Sequence, residues 1–210
     1  NSGAISTFMT KAVISENRLV KIPDEMPLRE AALLGCAIPT GAGIVINTMD
    51  ISVGKSIAIF GMGGIGLSAL LAAKARGASK IIAIDISEDK LKQSISFGAT
   101  QVLNAKNDSV IEVIMKISDN KGIDYAIESA GKKESMEMAF KSVRDNGGLC
   151  VIAGNLSLGE KIQIDPFDLI KGKRIIGTWG GQTQPDRDIP MYSDWVVSGK
   201  LNLKQLVCRV

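Results

Sequence analysis

The sequence has no histidine, few aromatic residues and no long apolar run. Without imidazole, the chain itself can hold no Ser-His triad, no histidine zinc ligand and no histidine general base. Aromatic residues make up 4% of the 210 positions, too few for a base-stacking platform. No stretch approaches the ~20 apolar residues of a membrane-spanning helix. The first residues also lack the basic-then-apolar order of a secretion signal. A strong charge of one sign is missing too: 25 Lys and Arg stand against 22 Asp and Glu, a net +3, and the densest basic cluster is Lys171, Lys173 and Arg174. Neither nucleic acid nor a membrane is therefore expected as a partner. The three cysteines (Cys36, Cys150, Cys208) are odd in number and far apart. That fits reduced thiols in a cytoplasmic setting, and the sequons at Asn107 and Asn155 are then chance matches.

What is present is a globular composition, 45% hydrophobic and 22% charged, with 22 glycines. At ~150 residues per domain this is one large domain, or one with pieces of a second. A strand is predicted over residues 5–14, a short helix over 28–34 behind Pro27, and a second helix from near Thr40 to Met49. From residue 51 strands and helices alternate. Short apolar runs predict strands over 56–60, 80–85, 101–103, 123–128, 148–153 and 174–178. Between them, helices are predicted over 64–76, from a Ser87 cap to near Gly98, over 110–117 behind Asp108 or Ser109, over 133–143, and briefly over 166–170. This alternation with short loops implies an α/β fold: a doubly wound, parallel, six-stranded sheet of Rossmann type with helices on both faces. The tail reads as a helix over 189–199, with Pro190 in its first turn, followed by strand or loop over 201–210.

One motif carries most of the functional information. Gly61-Met62-Gly63-Gly64-Ile65-Gly66 fits G-x-G-x-x-G. A lone match is weak, but this one follows a predicted strand, opens a helix and lies in a βαβ unit, with Asp85 ending the next strand. Gly61 then permits the tight turn, Gly63 lets backbone approach a pyrophosphate, and Gly66 lets helix pack on strand. The helix N-terminus supplies free N–H groups and positive dipole for the phosphates. A carboxylate at Asp85 accepts hydrogen bonds from an adenosine ribose hydroxyl and repels a 2′-phosphate, which favours NAD over NADP. The simpler reading, that Asp85 only ends a strand and caps the next turn, stays open. Gly54-Lys55-Ser56 does not make a phosphate loop, because Met49 stands where that motif needs glycine. A methyltransferase would share the glycine turn and the acidic residue, but the full six-position fingerprint suits a dinucleotide better.

The segments 34–43 (LGCAIPTGAG), 59–66 (IFGMGGIG), Ile84-Asp85, 97–100 (FGAT) and Asp124-Tyr125 resemble the zinc-dependent alcohol dehydrogenases of the medium-chain dehydrogenase/reductase superfamily. The resemblance covers essentially the whole chain. It implies that the chain is a coenzyme-binding domain, residues 38–178, between remnants of a GroES-like catalytic domain, residues 1–37 and 179–210. Members carry about 150 residues before this region, the size of one ordinary domain. By the same resemblance Cys36 is a thiolate ligand of the catalytic zinc, although a plain buried cysteine is the alternative. Thr40 is the hydroxyl near the nicotinamide. Lys90 joins Asp85 at the ribose, or is simply a solvated helix lysine. Ala153, Gly154 and Asn155, with Gly177, Thr178 and Trp179, meet the carboxamide. Zinc is expected only in the intact enzyme, where an alcohol or aldehyde exchanges hydride with NAD. The 210 residues alone are expected to be inactive.

The resemblance also implies a homodimer through an edge strand over residues 161–164 (KIQI, from Lys161 to Ile164), since an unpaired apolar edge is a liability that self-association removes. Two further readings remain: a zinc-free medium-chain reductase using NADPH, and a stand-alone NAD-binding module. Cys36 and the form of the glycine turn disfavour the first. The lack of histidine keeps the second.

Overall fold

The computed structural model of the chain describes residues 9–207. Two short helices, α1 (Leu28–Ala31) and α2 (Ala37–Gly43), precede the sheet, and α2 runs on as a π-helical turn over Ile44–Thr48. Then follow β1 (Ser56–Phe60), α3 (Gly64–Ala75), β2 (Lys80–Asp85), α4 (Glu88–Phe97), β3 (Gln101–Asn104), α5 (Val110–Ile117), β4 (Tyr125–Glu128), α6 (Lys133–Ser142), β5 (Leu149–Ile152), α7 (Pro166–Ile170), β6 (Arg174–Gly177) and α8 (Pro185–Val197). The strands form one sheet in the order β3-β2-β1-β4-β5-β6, every neighbouring pair parallel. The chain order reverses direction between β1 and β4, which opens a crevice at the carboxyl ends of those two strands.

The central strands are near-continuous apolar runs because both of their faces are covered. On one face α2 and α3 pack over Ile57, Ile59, Ile81 and Val151; on the other α5 and α6 cover Ala58, Phe60, Ile82 and Ala126. Helix α3 is buried on nearly every side, from Gly66 to Ala73, so it carries no polar face. It is crossed at Gly41 of α2, where a Cβ would strike the Ile65 carbonyl and come within 2.8 Å of the Ala69 nitrogen. The first core also takes in Met26 and Leu34 from before the sheet and Tyr192, Leu201 and Leu203 from after it.

Several expectations need correction. Of the strand predicted over 5–14, residues 9–14 form none, and the remainder lies outside the described residues, as does Cys208. β-branched content favours a strand only where a neighbouring strand offers an edge to pair with; here the two edges are β3 and β6, and residues 9–13 are exposed. Helix α2 starts at Ala37 rather than near Thr40, since Pro39 falls in its first turn, where no backbone donor is needed. Helix α8 starts at Pro185, with Pro190 inside it rather than in the first turn. Its start is set by Asp188, whose carboxylate accepts the Gln184 N–H at 2.9 Å. Ser87 occupies the N-cap of α4, but its hydroxyl makes no capping bond. Residues 161–164 are not a strand within the single chain, and the Gln163 N–H is taken by the Glu137 carboxylate at 2.8 Å instead of a strand neighbour.

Candidate functional site

The glycine-rich turn leaves β1 and enters α3 at the centre of the sheet. Gly61 has φ +95°, and a Cβ there would lie 2.7 Å from the Ala130 nitrogen, so both conformation and space demand glycine. At Gly66 a Cβ would strike the Gly61 carbonyl oxygen. Gly64 is less crowded, with only the Ala37 methyl at 3.3 Å, and Ile65 is half-buried. Gly63 differs from all of these. It is exposed, its φ of −90° suits any residue, and nothing lies within 4 Å of the place a Cβ would take. It stands at the N-cap of α3 and offers no side-chain cap, so the N–H groups of the first helical turn point outward without an intrahelical acceptor.

Asp85 ends β2 directly beside this turn and is 9% exposed. One carboxylate oxygen accepts the Met62 N–H at 2.7 Å. The other accepts the N–H groups of Ile86 at 2.8 Å and Ser87 at 3.0 Å. The Lys90 ammonium stands 3.5 Å away. Asp85 therefore holds the turn as well as lining the groove beside it. The Met62 side chain is buried in the core, so that residue contributes its backbone alone.

These residues open onto a groove of about 450 Å³. It is lined by Gly61, Gly63, Asp85, Ile86, Lys90 and Ala105, together with Ser129, Ala130, Lys132 and Met138. Ser129, Ala130 and Lys132 come from the turn after β4, which the sequence reading passed over. Ser129 ties that turn to the glycine loop: its N–H donates to the Phe60 carbonyl at 2.8 Å, and its hydroxyl reaches the carbonyls of Phe60 at 3.0 Å and Gly61 at 2.9 Å. The signal was available, since Glu128-Ser129-Ala130-Gly131 closes the apolar strand that a switch-point topology sets beside β1.

The remaining candidates gather along the same sheet edge. Ala153 and Gly154 follow β5, and both donate N–H groups to the Glu128 carbonyl, at 2.8 and 3.0 Å. Asn155 is exposed, with its backbone close to Gly131. Gly177 ends β6 and is exposed, the Thr178 N–H bonds to the Ile152 carbonyl at 3.1 Å, and Trp179 is 95% exposed. Cys36 is an exposed free thiol just before α2. Its carbonyl accepts the Thr40 N–H at 3.0 Å, so thiol and hydroxyl lie one helical turn apart. The Ala37 methyl, between them, would lie 3.3 Å from a Cβ added at Gly64, which brings this segment to the glycine turn. Cys150, by contrast, is buried in β5, where burial and the nearby Glu128 charge push its thiol well above the usual range.

A zinc centre does not fit the side chains present. Among the described residues no group of three or more His, Cys, Asp or Glu side chains comes together, whereas a catalytic zinc takes three protein ligands. A dinucleotide does fit: a groove at the switch point, an open helix N-terminus, and a glycine whose missing side chain leaves space that the fold does not use.

Comparison with known proteins agrees with this geometry. The sequence profile of a family described as zinc-binding dehydrogenase matches residues 64–198. Rabbit (Oryctolagus cuniculus) alcohol dehydrogenase class-2 isozyme 2 is 37% identical over 205 residues, which are 97% of this chain and 54% of that protein. The crystal structure of benzyl alcohol dehydrogenase from Acinetobacter calcoaceticus superposes with a TM-score of 0.93 at 38% identity, over 97% of this chain and 56% of that one. A Sinorhizobium meliloti 1021 protein solved bound to NADP superposes with a TM-score of 0.77 at 28% identity, over 86% of this chain and 52% of that one. The chain spans about half the length of the relatives it matches.

Proposed function

The chain belongs to the zinc-binding dehydrogenase family, and from that premise we propose that it is the NAD-binding part of an alcohol dehydrogenase. Gly63 carries the proposal. The fold has no use for a glycine there, because a side chain would meet open space; a pyrophosphate lying against the backbone has. The first-turn N–H groups of α3 receive that pyrophosphate, and their partial positive charge favours it. Asp85 accepts from the adenosine ribose, with Lys90 beside it. Ile86, Ala105 and Met138 give the adenine an apolar end to the groove. Ala153–Asn155 and Gly177–Trp179 lie farther along the same edge, where the nicotinamide end would run, with Thr40 near them.

Bound NAD supplies a hydride acceptor. The chain's own residues bind it, orient it and keep its nicotinamide at the edge where Cys36 and Thr40 stand. A catalytic zinc takes three protein ligands, and of these the described residues bring at most Cys36. On this reading the 210 residues bind coenzyme and turn over no alcohol by themselves. NADP is the second reading, because Lys90 and Lys132 line the groove and would attract a 2′-phosphate. Against it stands the nearly buried carboxylate of Asp85. Calorimetric titration decides: NAD is expected to bind at least tenfold more tightly than NADP. Equal affinities would overturn the role given to Asp85, and no binding of either would overturn the proposal.

The proposal extends to a homodimer. β6 is an open edge of the sheet with three of its four residues exposed, and the segment over 161–164, though not a strand in the single chain, alternates exposed and half-buried residues.

A further inference from the structure

Glu128 is fully buried at the end of β4, at the switch point of the sheet, with 0% exposure. It sits between Phe60 of β1 and Ile152 of β5. One carboxylate oxygen collects three donors: the N–H groups of Ala130 at 2.9 Å and Gly131 at 2.8 Å, and the Ser135 hydroxyl at 2.6 Å. The other oxygen is buried with no hydrogen-bond partner among the described residues. It faces Gly154, where an added Cβ would strike it. The backbone carbonyl of the same residue holds the N–H groups of Ala153 and Gly154. Gly131 closes the arrangement, since a Cβ there would come within 2.8 Å of the Asn155 carbonyl oxygen.

One residue thus ties together the turn after β4, the start of α6 and the loop after β5. The first two line the groove, and the third lies at the far end of the proposed coenzyme. Stability alone does not explain a carboxylate here. Buried polar groups normally find partners, and an apolar residue would avoid leaving one oxygen unpartnered. What a carboxylate of this length provides is one acceptor oxygen at the point where three donors from two segments converge. We propose that Glu128 is a positioning residue for coenzyme binding: it never touches the dinucleotide, and its carboxylate fixes the turn after β4 to the start of α6, the two segments that line the groove. This inference rests on the NAD reading above.

The test separates reach from charge. Glu128→Gln keeps an acceptor oxygen at the same distance and removes the charge. Glu128→Asp keeps the charge and withdraws the oxygen by one methylene. NAD affinity is measured by calorimetry on the full chain, at a temperature where circular dichroism shows each variant folded. The Gln variant is expected to bind NAD within about threefold of the unaltered chain, and the Asp variant at least fivefold more weakly. An Asp variant that binds like the unaltered chain overturns the inference, even if its melting temperature falls, because the residue would then serve stability alone. A Gln variant as weak as the Asp variant overturns it as well, because charge rather than placement would then govern binding. An unaltered chain that binds no NAD removes the coenzyme reading itself, a result distinct from both.

Discussion

The carboxylate of Asp85 accepts the backbone N–H of Met62 across 2.7 Å, joining the end of β2 to the middle of the glycine-rich turn. Its second oxygen is occupied by the N–H groups of Ile86 and Ser87. A residue read from sequence as a ribose contact is therefore also a tie within the fold. Asparagine offers one acceptor oxygen where aspartate offers two, so Asp85→Asn leaves a buried donor facing an amide NH₂ or empty space. An unsatisfied buried donor costs about 1–3 kcal/mol. The Asn variant is expected to lose that much stability in the absence of any coenzyme, measured by thermal or urea unfolding, and to discriminate less between NAD and NADP. Unchanged ligand-free stability would show that Asp85 serves the ligand alone.

Gly63 and Gly66 look alike in the motif and should behave oppositely on substitution. A methyl group at Gly63 meets nothing, and the backbone there is open to any residue. Gly63→Ala is expected to change stability by less than about 1 kcal/mol, the spread between glycine and alanine at an N-cap, while weakening NAD at least tenfold. A methyl group at Gly66 strikes the Gly61 carbonyl, and backbone cannot step aside as a side chain can. Gly66→Ala is expected to destabilise the fold by about 1–3 kcal/mol, as overpacking does. Paired unfolding and titration measurements on the two variants check both halves.

At the opposite, amino end of the sheet, Asp124 gathers the Ser56 N–H at 3.0 Å, the Ser56 hydroxyl at 2.9 Å, the Arg144 guanidinium at 3.0 Å and the Lys55 ammonium at 3.4 Å. Burial acts to raise its pKa, but the hydrogen bonds from Ser56 and Arg144 and the Lys55 charge outweigh it and hold the carboxyl below its usual range. The folded state therefore binds the proton less readily than the unfolded chain does. The resulting stabilisation is fully present above the unfolded pKa of about 4 and is lost as pH falls through the lowered folded value. Asp124→Asn is expected to lower the melting temperature at pH 7 and to make its decline below pH 4 shallower. Melting curves from pH 7 to pH 2 check this, and parallel curves for the two proteins would refute it.

What could be read from the sequence depended on how local the cause was. β1 and β2 match the expected 56–60 and 80–85 to the residue, because a strand buried on both faces is an apolar run with glycine or polar residues at its ends. The glycine turn and Asp85 were legible for a similar reason, since their spacing along the chain fixes their spacing in the βαβ unit. Residues 9–14 have the composition of a strand and lack a partner to pair with, and no local pattern reveals that. Met62 stands inside the motif, yet its side chain belongs to the core. Glu128 and Ser129 act only because β4 lies against β1, more than 60 residues away in sequence. Their role becomes visible once the strand order is known.

The open edge of β6 leads to the last prediction. Ile176 is 39% exposed on that strand, and Ile162 and Ile164 lie half-buried on the segment over 161–164. A parallel sheet normally has its faces covered by helices and its edges shielded by charge, bulges or another element. β6 is short and brings one charged residue, Arg174, at its start. A second copy related by a two-fold axis would offer each edge the same surface and satisfy both. Sedimentation at micromolar concentration is therefore expected to give twice the chain mass of 22.3 kDa. Ile176→Lys places a charge on the shared edge, where it meets its own symmetry mate as well as apolar surface. Surface substitutions of this kind usually alter folding stability by no more than about 0.5 kcal/mol, so the variant is expected to sediment as a folded monomer. An unaltered chain that sediments as a monomer at this concentration refutes the dimer, and a variant that stays dimeric moves the interface away from β6.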